Sequence, residues 1–128
     1  MIGAAIRQIL IADSTVKAIT ARCYPVTLPQ NPEYPLMLYS KVAGPREHSL
    51  QGPVGMAKPR YQIESWALTY DEAKDLAAAI RGALDGYRGT VSGCVIGSCL
   101  MVGEWDRYES EVKCHRVITD FSIIHNET

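Results

Sequence analysis

Between Asp71 and Gly86 the residues Ala73, Leu76, Ala77, Ile80 and Leu84 recur at helical spacing, while Asp75, Arg81 and Asp85 lie away from them. Thr69 and Glu72 have the spacing of a capping box, and Gly86 stands where a C′ glycine can end a helix. The pattern predicts a helix of about four turns. Its one apolar stripe must be buried against another layer, so the segments on either side have to supply a sheet.

Those segments do read as strands. Leu36 to Val42 places Leu36, Leu38 and Val42 on one side and Met37, Tyr39 and Lys41 on the other. Tyr61 to Leu68 alternates Tyr61, Ile63 and Ala67 against Gln62, Glu64 and Trp66. Beyond the helix, Val91 to Val102 is rich in β-branched residues, and Val112 to Ile124 alternates Val117, Thr119, Phe121 and Ile123 with Ile118, Asp120 and Ser122. At the start of the chain Ile2, Ala5, Ile6 and Ile9 fall on one helical face, and Asp13 or Ser14 can cap a second short helix ending near Arg22. Four prolines between Cys23 and Pro35 make that stretch an extended connector. The order helix, helix, strand, strand, helix, strand, strand predicts an α+β fold, a mainly antiparallel sheet of about four strands with helices packed on one face. A length of 128 residues suits one domain over 1–128.

Composition excludes several classes. The formal net charge is −1 and like charges nowhere form a block, so a clustered cationic face for phosphate is not expected. No apolar run approaches the roughly 20 residues that cross a bilayer, and Arg7 and Gln8 interrupt the apolar start before a secretory core could form. Cys23, Cys94, Cys99 and Cys114 are expected to be free thiols of a protein made in the reducing cytosol.

The search for reactive chemistry finds little. Cys94, Cys99, Cys114 and His115 could in principle supply zinc ligands, yet residues five apart or adjacent on a strand point opposite ways unless a bulge near Gly97 resets the parity. His48 and His125 are isolated, and no phosphate loop, zinc-helix motif or nucleophile elbow occurs. No catalytic residue, metal ligand or cofactor site is therefore predicted. The acidic run Glu104, Asp106, Glu109 and Glu111 reads as a solvated connection between strands, interleaved with Trp105, Arg107 and Tyr108, which are interface-forming types. The long loop from Gly44 to Pro59 reads as an arm towards a neighbour, with Arg46, Glu47, His48, Leu50, Val54 and Met56 as contact residues.

Taken in order along the chain, several short motifs resemble the tail-completion, or tail-terminator, proteins of long-tailed phages and prophages. They are the helical start leading to Cys23-Tyr24-Pro25, then Tyr34-Pro35-Leu36-Met37-Leu38-Tyr39, then Glu47-His48-Ser49-Leu50-Gln51-Gly52-Pro53. Next come Tyr61-Gln62-Ile63-Glu64-Ser65-Trp66-Ala67 with Tyr70-Asp71-Glu72-Ala73, and more loosely Tyr108-Glu109, His115-Arg116-Val117 and Asp120-Phe121. The succession covers about Ile2 to Ile124; the cysteines are not part of it.

The resemblance implies a structural virion protein and not an enzyme. Such a protein caps the tail tube as a ring of identical subunits, commonly a hexamer, and offers a docking face to the head or its connector. Its partners would be further copies of itself, the tail tube protein and head-tail connector proteins, with DNA passing through the lumen without sequence-specific binding. Two alternatives stay open: a head-tail joining (neck) protein, or a small metal- or thiol-dependent enzyme or binding module built on Cys94, Cys99, Cys114 and His115.

Overall fold

The computed structural model describes residues 2–43 and 56–126. Two helices come first, α1 (Ile2–Ala12) and α2 (Ser14–Ile19), then the strands β1 (Cys23–Pro25), β2 (Leu36–Ala43), β3 (Met56–Ala57) and β4 (Arg60–Ala67). Helix α3 (Tyr70–Leu84) follows, and β5 (Gly89–Val91), β6 (Cys94–Glu109) and β7 (Cys114–Asn126) complete the order.

The locally encoded elements form as their side chains dictate. The Asp13 carboxylate accepts the amides of Thr15 and Val16, capping α2, and the Thr69 hydroxyl accepts the amide of Glu72 at the start of α3. Beyond α3, Gly86 takes φ 83°, the left-handed conformation that a glycine adopts without strain.

The sheet is where the expected architecture fails. The protein is mostly β: a mixed sheet ordered β1-β2-β4-β7-β6-β5 curls into a half-barrel, with β3 pairing β7 off that path. It is neither four-stranded nor wholly antiparallel, since β1 runs parallel to β2. Three causes account for the difference. The connector after Cys23 contributes a short edge strand, which its prolines permit because an edge has amides to spare. The segment read as one strand from Val91 to Val102 is a hairpin turning at Ser92 (φ 48°) and Gly93 (φ 82°), the two positive dihedrals of a tight I′ turn. Finally, β6 runs on through Glu109 and pairs with β7 to the end, so the Glu104–Glu111 stretch is mostly strand and not a connection.

Register along β6 shifts between Ile96 and Ser98 and again between Met101 and Gly103. Each shift leaves one supernumerary residue, as a β-bulge does. The first restores inward orientation to Cys99, so Cys94, Ile96 and Cys99 all join the main core despite their spacing.

That core lies between the sheet and the helices. Ile6 and Leu10 of α1, Val16 of α2, and Leu76, Ile80 and Leu84 of α3 pack against Met37, Ile63, Phe121 and Ile123. Small residues let α3 approach closely, with Ala73 and Ala77 meeting Ala67 and Val117. The Ser65 hydroxyl donates to the Ala73 carbonyl at 2.9 Å, tying β4 to the helix. Among the described residues the other face of the sheet is covered at one end, where Tyr24, Leu28 and Tyr34 of the connector pack on Leu36, Leu38, Trp66 and Cys114. Strand β2 is therefore buried on both faces there, and not on one as its alternation suggests.

Candidate assembly surfaces

The residues predicted to form contacts fall in three places. Arg46, Glu47, His48, Leu50 and Val54 lie outside the described residues. Met56 belongs to β3, whose backbone pairs with β7 at Asn126. Trp105, Arg107 and Tyr108 all sit on β6, but alternation divides them: Trp105 and Arg107 stand opposite Ile118 and Arg116 on the outer face, and Tyr108 stands opposite His115 on the helix face.

On the helix face, the distal part of β6 is latched to α3. Lys74 donates to Glu104 at 3.0 Å and to Asp106 at 3.1 Å, and Arg81 reaches Glu104 at 3.4 Å. The Tyr70 hydroxyl donates to the other Asp106 oxygen at 2.8 Å. Those bonds hold the Asp106 carboxyl below its ordinary range, the Tyr70 bond counting most, while Tyr70 and Lys74 move up for the same reason. Glu104 and Asp106 of the acidic run are thus spoken for by cations and a phenol. Tyr70, Tyr108 and His115 make an aromatic group at the end of this face, the ring centroids of Tyr108 and His115 being 4.9 Å apart.

On the outer face two ionic groups lie in the centre of the sheet. Arg60 and Gln62 both donate to the buried Asp120, and Arg116 binds Glu64 and Glu109 at 3.0 and 2.7 Å. The guanidinium of Arg116 also lies over the Trp66 ring, and the indole of Trp66 donates to Glu64 at 3.0 Å. Sequence reading missed these groups. Their one-dimensional signal is a set of charged residues at alternate positions of β4 and β7, and it becomes legible only once the strand register is known.

Beside them β6 exposes Val95, Leu100, Val102 and Trp105, the two middle residues at 54%. An open cleft of about 410 Å³ also lies between α1 and α3, lined by Gln8, Ile9, Asp13, Ala83, Tyr87 and Val91 among others.

The thiols do not form a site. Cys23, Cys94 and Cys99 lie in the main core and Cys114 in the outer cluster, all free and buried. Burial pushes the Cys23 and Cys99 thiols up to about 12, the opposite of what nucleophilic sulfur requires. Among the described residues no group of three or more His, Cys, Asp or Glu side chains is placed to hold a metal ion.

The sequence profile of the family described as "Tail completion protein gp17" matches residues 4–126, and the chain belongs to that family. It is a structural component of a phage tail and not an enzyme. The fold is similar to that of a chain in the solved "Virion of native gene transfer agent (GTA) particle", with a TM-score of 0.73 at 20% identity over 96% of this chain and 92% of that one. No curated protein sequence matches the chain.

Proposed function

We propose that this protein completes the tail by closing on itself as a ring of identical subunits, six in number, which caps the tail tube and presents a docking face to the head or its connector. The whole of 1–128 acts as one tail-terminator-like domain, made in the host cytoplasm and then carried in the virion. The observation that carries this reading is the family match across nearly the entire chain.

The surfaces support it. A ring made by heterologous contact needs two different complementary surfaces on each subunit, and the distal part of β6 with Trp105, Arg107 and Tyr108 is one candidate. The arm with Arg46, Glu47, His48, Leu50, Val54 and Met56 is the other, directed to the tube. The outer face suits a wall past which DNA slides, because Asp120 is matched to Arg60, and Arg116 to Glu64 and Glu109.

Purified protein added to tails lacking their completion protein should fix tube length and restore joining to heads. Restored joining with tubes of unregulated length would transfer the role to the neck. Deleting residues 46–54 should abolish completion while leaving the melting transition in place, and a deletion variant that still completes tails would remove the arm from the contact.

A further inference from the structure

The outer edge of β6 has two parts with different fates. From Cys94 to Ile96 it is paired by β5; then the Gly86 amide donates to the Cys99 carbonyl at 2.6 Å and the Asp85 carboxylate accepts the Met101 amide at 2.9 Å. Beyond the second bulge, among the described residues, no strand pairs the outer side of β6. Which groups point there follows from β7. The Ile123 amide bonds towards β4, at the Pro59 carbonyl, so odd residues of β7 face β4 and even ones face β6. Asp120, Ile118 and Arg116 therefore bond Gly103, Trp105 and Arg107, which leaves the amides and carbonyls of Glu104, Asp106 and Tyr108 directed outward. Soluble proteins blunt such edges, and this chain does so at β1. There Arg7 caps the Cys23 carbonyl, Pro25 has no amide, and the Pro25 carbonyl accepts from Thr27. Past Val26, which bonds the Tyr39 carbonyl, the next outward-directed residue of β2 is Lys41.

We propose that the outward edge of β6 from Glu104 to Tyr108 pairs, backbone to backbone, with the end of β2 around Lys41, whose outward side no strand among the described residues pairs, in a second copy of the chain. The proposal rests on the ring reading above and names the two edges that close it. Strand direction alternates from β2 through β4 and β7 to β6, so copies related by rotation set β6 beside β2 in the antiparallel sense.

On the helix face Lys41 would stand beside Glu104 and Asp106, which Lys74 and Arg81 already neutralise, so the junction rests on the backbone edges. The stagger agrees with this pairing. Lys41 stands level with Phe121, Asp106 with Val117 and Tyr108 with His115. Setting Lys41 opposite Asp106 or Tyr108 offsets neighbouring copies by about 13 or 20 Å along the strands per repeat of about 19 Å across them. On a closed cylinder these offsets are strand tilts of about 35° and 45°, where closed barrels sit, whereas Glu104 would give about 19°.

The test uses a full-length chain carrying both Lys41→Cys and Tyr108→Cys, treated with a short bis-maleimide after addition to terminator-deficient tails. Both positions are exposed and the four native thiols are buried, so the reagent reads only the new pair. Within one chain the two lie on opposite sides of β4 and β7, beyond the reagent's span. A ladder of cross-linked species up to the closed ring is expected from the double variant and none from either single variant. Rings visible by electron microscopy without a ladder would overturn the edge pairing and leave the ring intact. Neither ring nor ladder would remove both, and dimers from Tyr108→Cys alone would overturn the proposal in favour of a two-fold β6–β6 contact.

Discussion

The two faces of the sheet are built from the same strands and hold together differently. The helix face is sealed by three helices around Phe121, Ile63 and Met37, each at 1% exposure or less. The outer face has a small apolar cluster at one end, paired charges in the centre and exposed Leu100, Val102 and Trp105 at the other side. Hydrophobic burial scales with apolar area removed from water, so the helix face carries the greater share of stability and the outer face is left for contacts.

The comparison can be broken most directly at Phe121, which is fully buried. Phe121→Ala should cost about 4 kcal/mol, because it loses transfer energy and leaves a cavity. Denaturant unfolding reads this, and a loss below about 1 kcal/mol would show that the helix face is not the main core. On the outer face Trp66→Ala should cost about 3 kcal/mol, since it also removes the indole bond to Glu64 and the ring beneath Arg116. An equal or larger loss than for Phe121→Ala would reverse the ranking of the faces.

A pH titration sharpens the account of the core. The Cys23 and Cys99 thiols stand at about 12 in the folded chain against an ordinary 9.0, so between those values the unfolded state releases protons that the folded state keeps. Their contribution is fully present below pH 9.0 and is lost as pH rises towards 12; the melting temperature should fall across that window. Replacing both by alanine should flatten the fall, and an unchanged slope would assign it to other groups. The smallest effect belongs to Trp105→Ser, which at 39% exposure should alter stability by about 0.5 kcal/mol while impairing tail completion. Normal completion would take Trp105 out of the assembly surface.

What the sequence made legible was local. The caps at Asp13 and Thr69, the apolar stripe of α3 and the alternation of β4 and β7 are short-range signals that neighbours do not overrule. Strands β1 and β3 were hidden because two or three residues become a strand only through a partner distant in the chain. The extent of β6 was hidden for another reason. Two bulges break its alternation, and charges at Glu104 and Asp106 that read as solvated are instead latched to Lys74 and Arg81. The family resemblance read from the succession of motifs agrees with the family match, whereas the arm lies outside the described residues and the contact role of Trp105, Arg107 and Tyr108 rests on the experiments above.

The bulge at Gly97 bears on how this strand tolerates changes of length. Two residues there oppose one on β7, so removing Gly97 would turn the kink into a plain ladder and leave every neighbour on its present side. Removing Ser98 and Gly97 together would instead rotate Cys99 and all that follows through half a turn, turning Glu104 and Asp106 from their cations and carrying Trp105 underneath the helix.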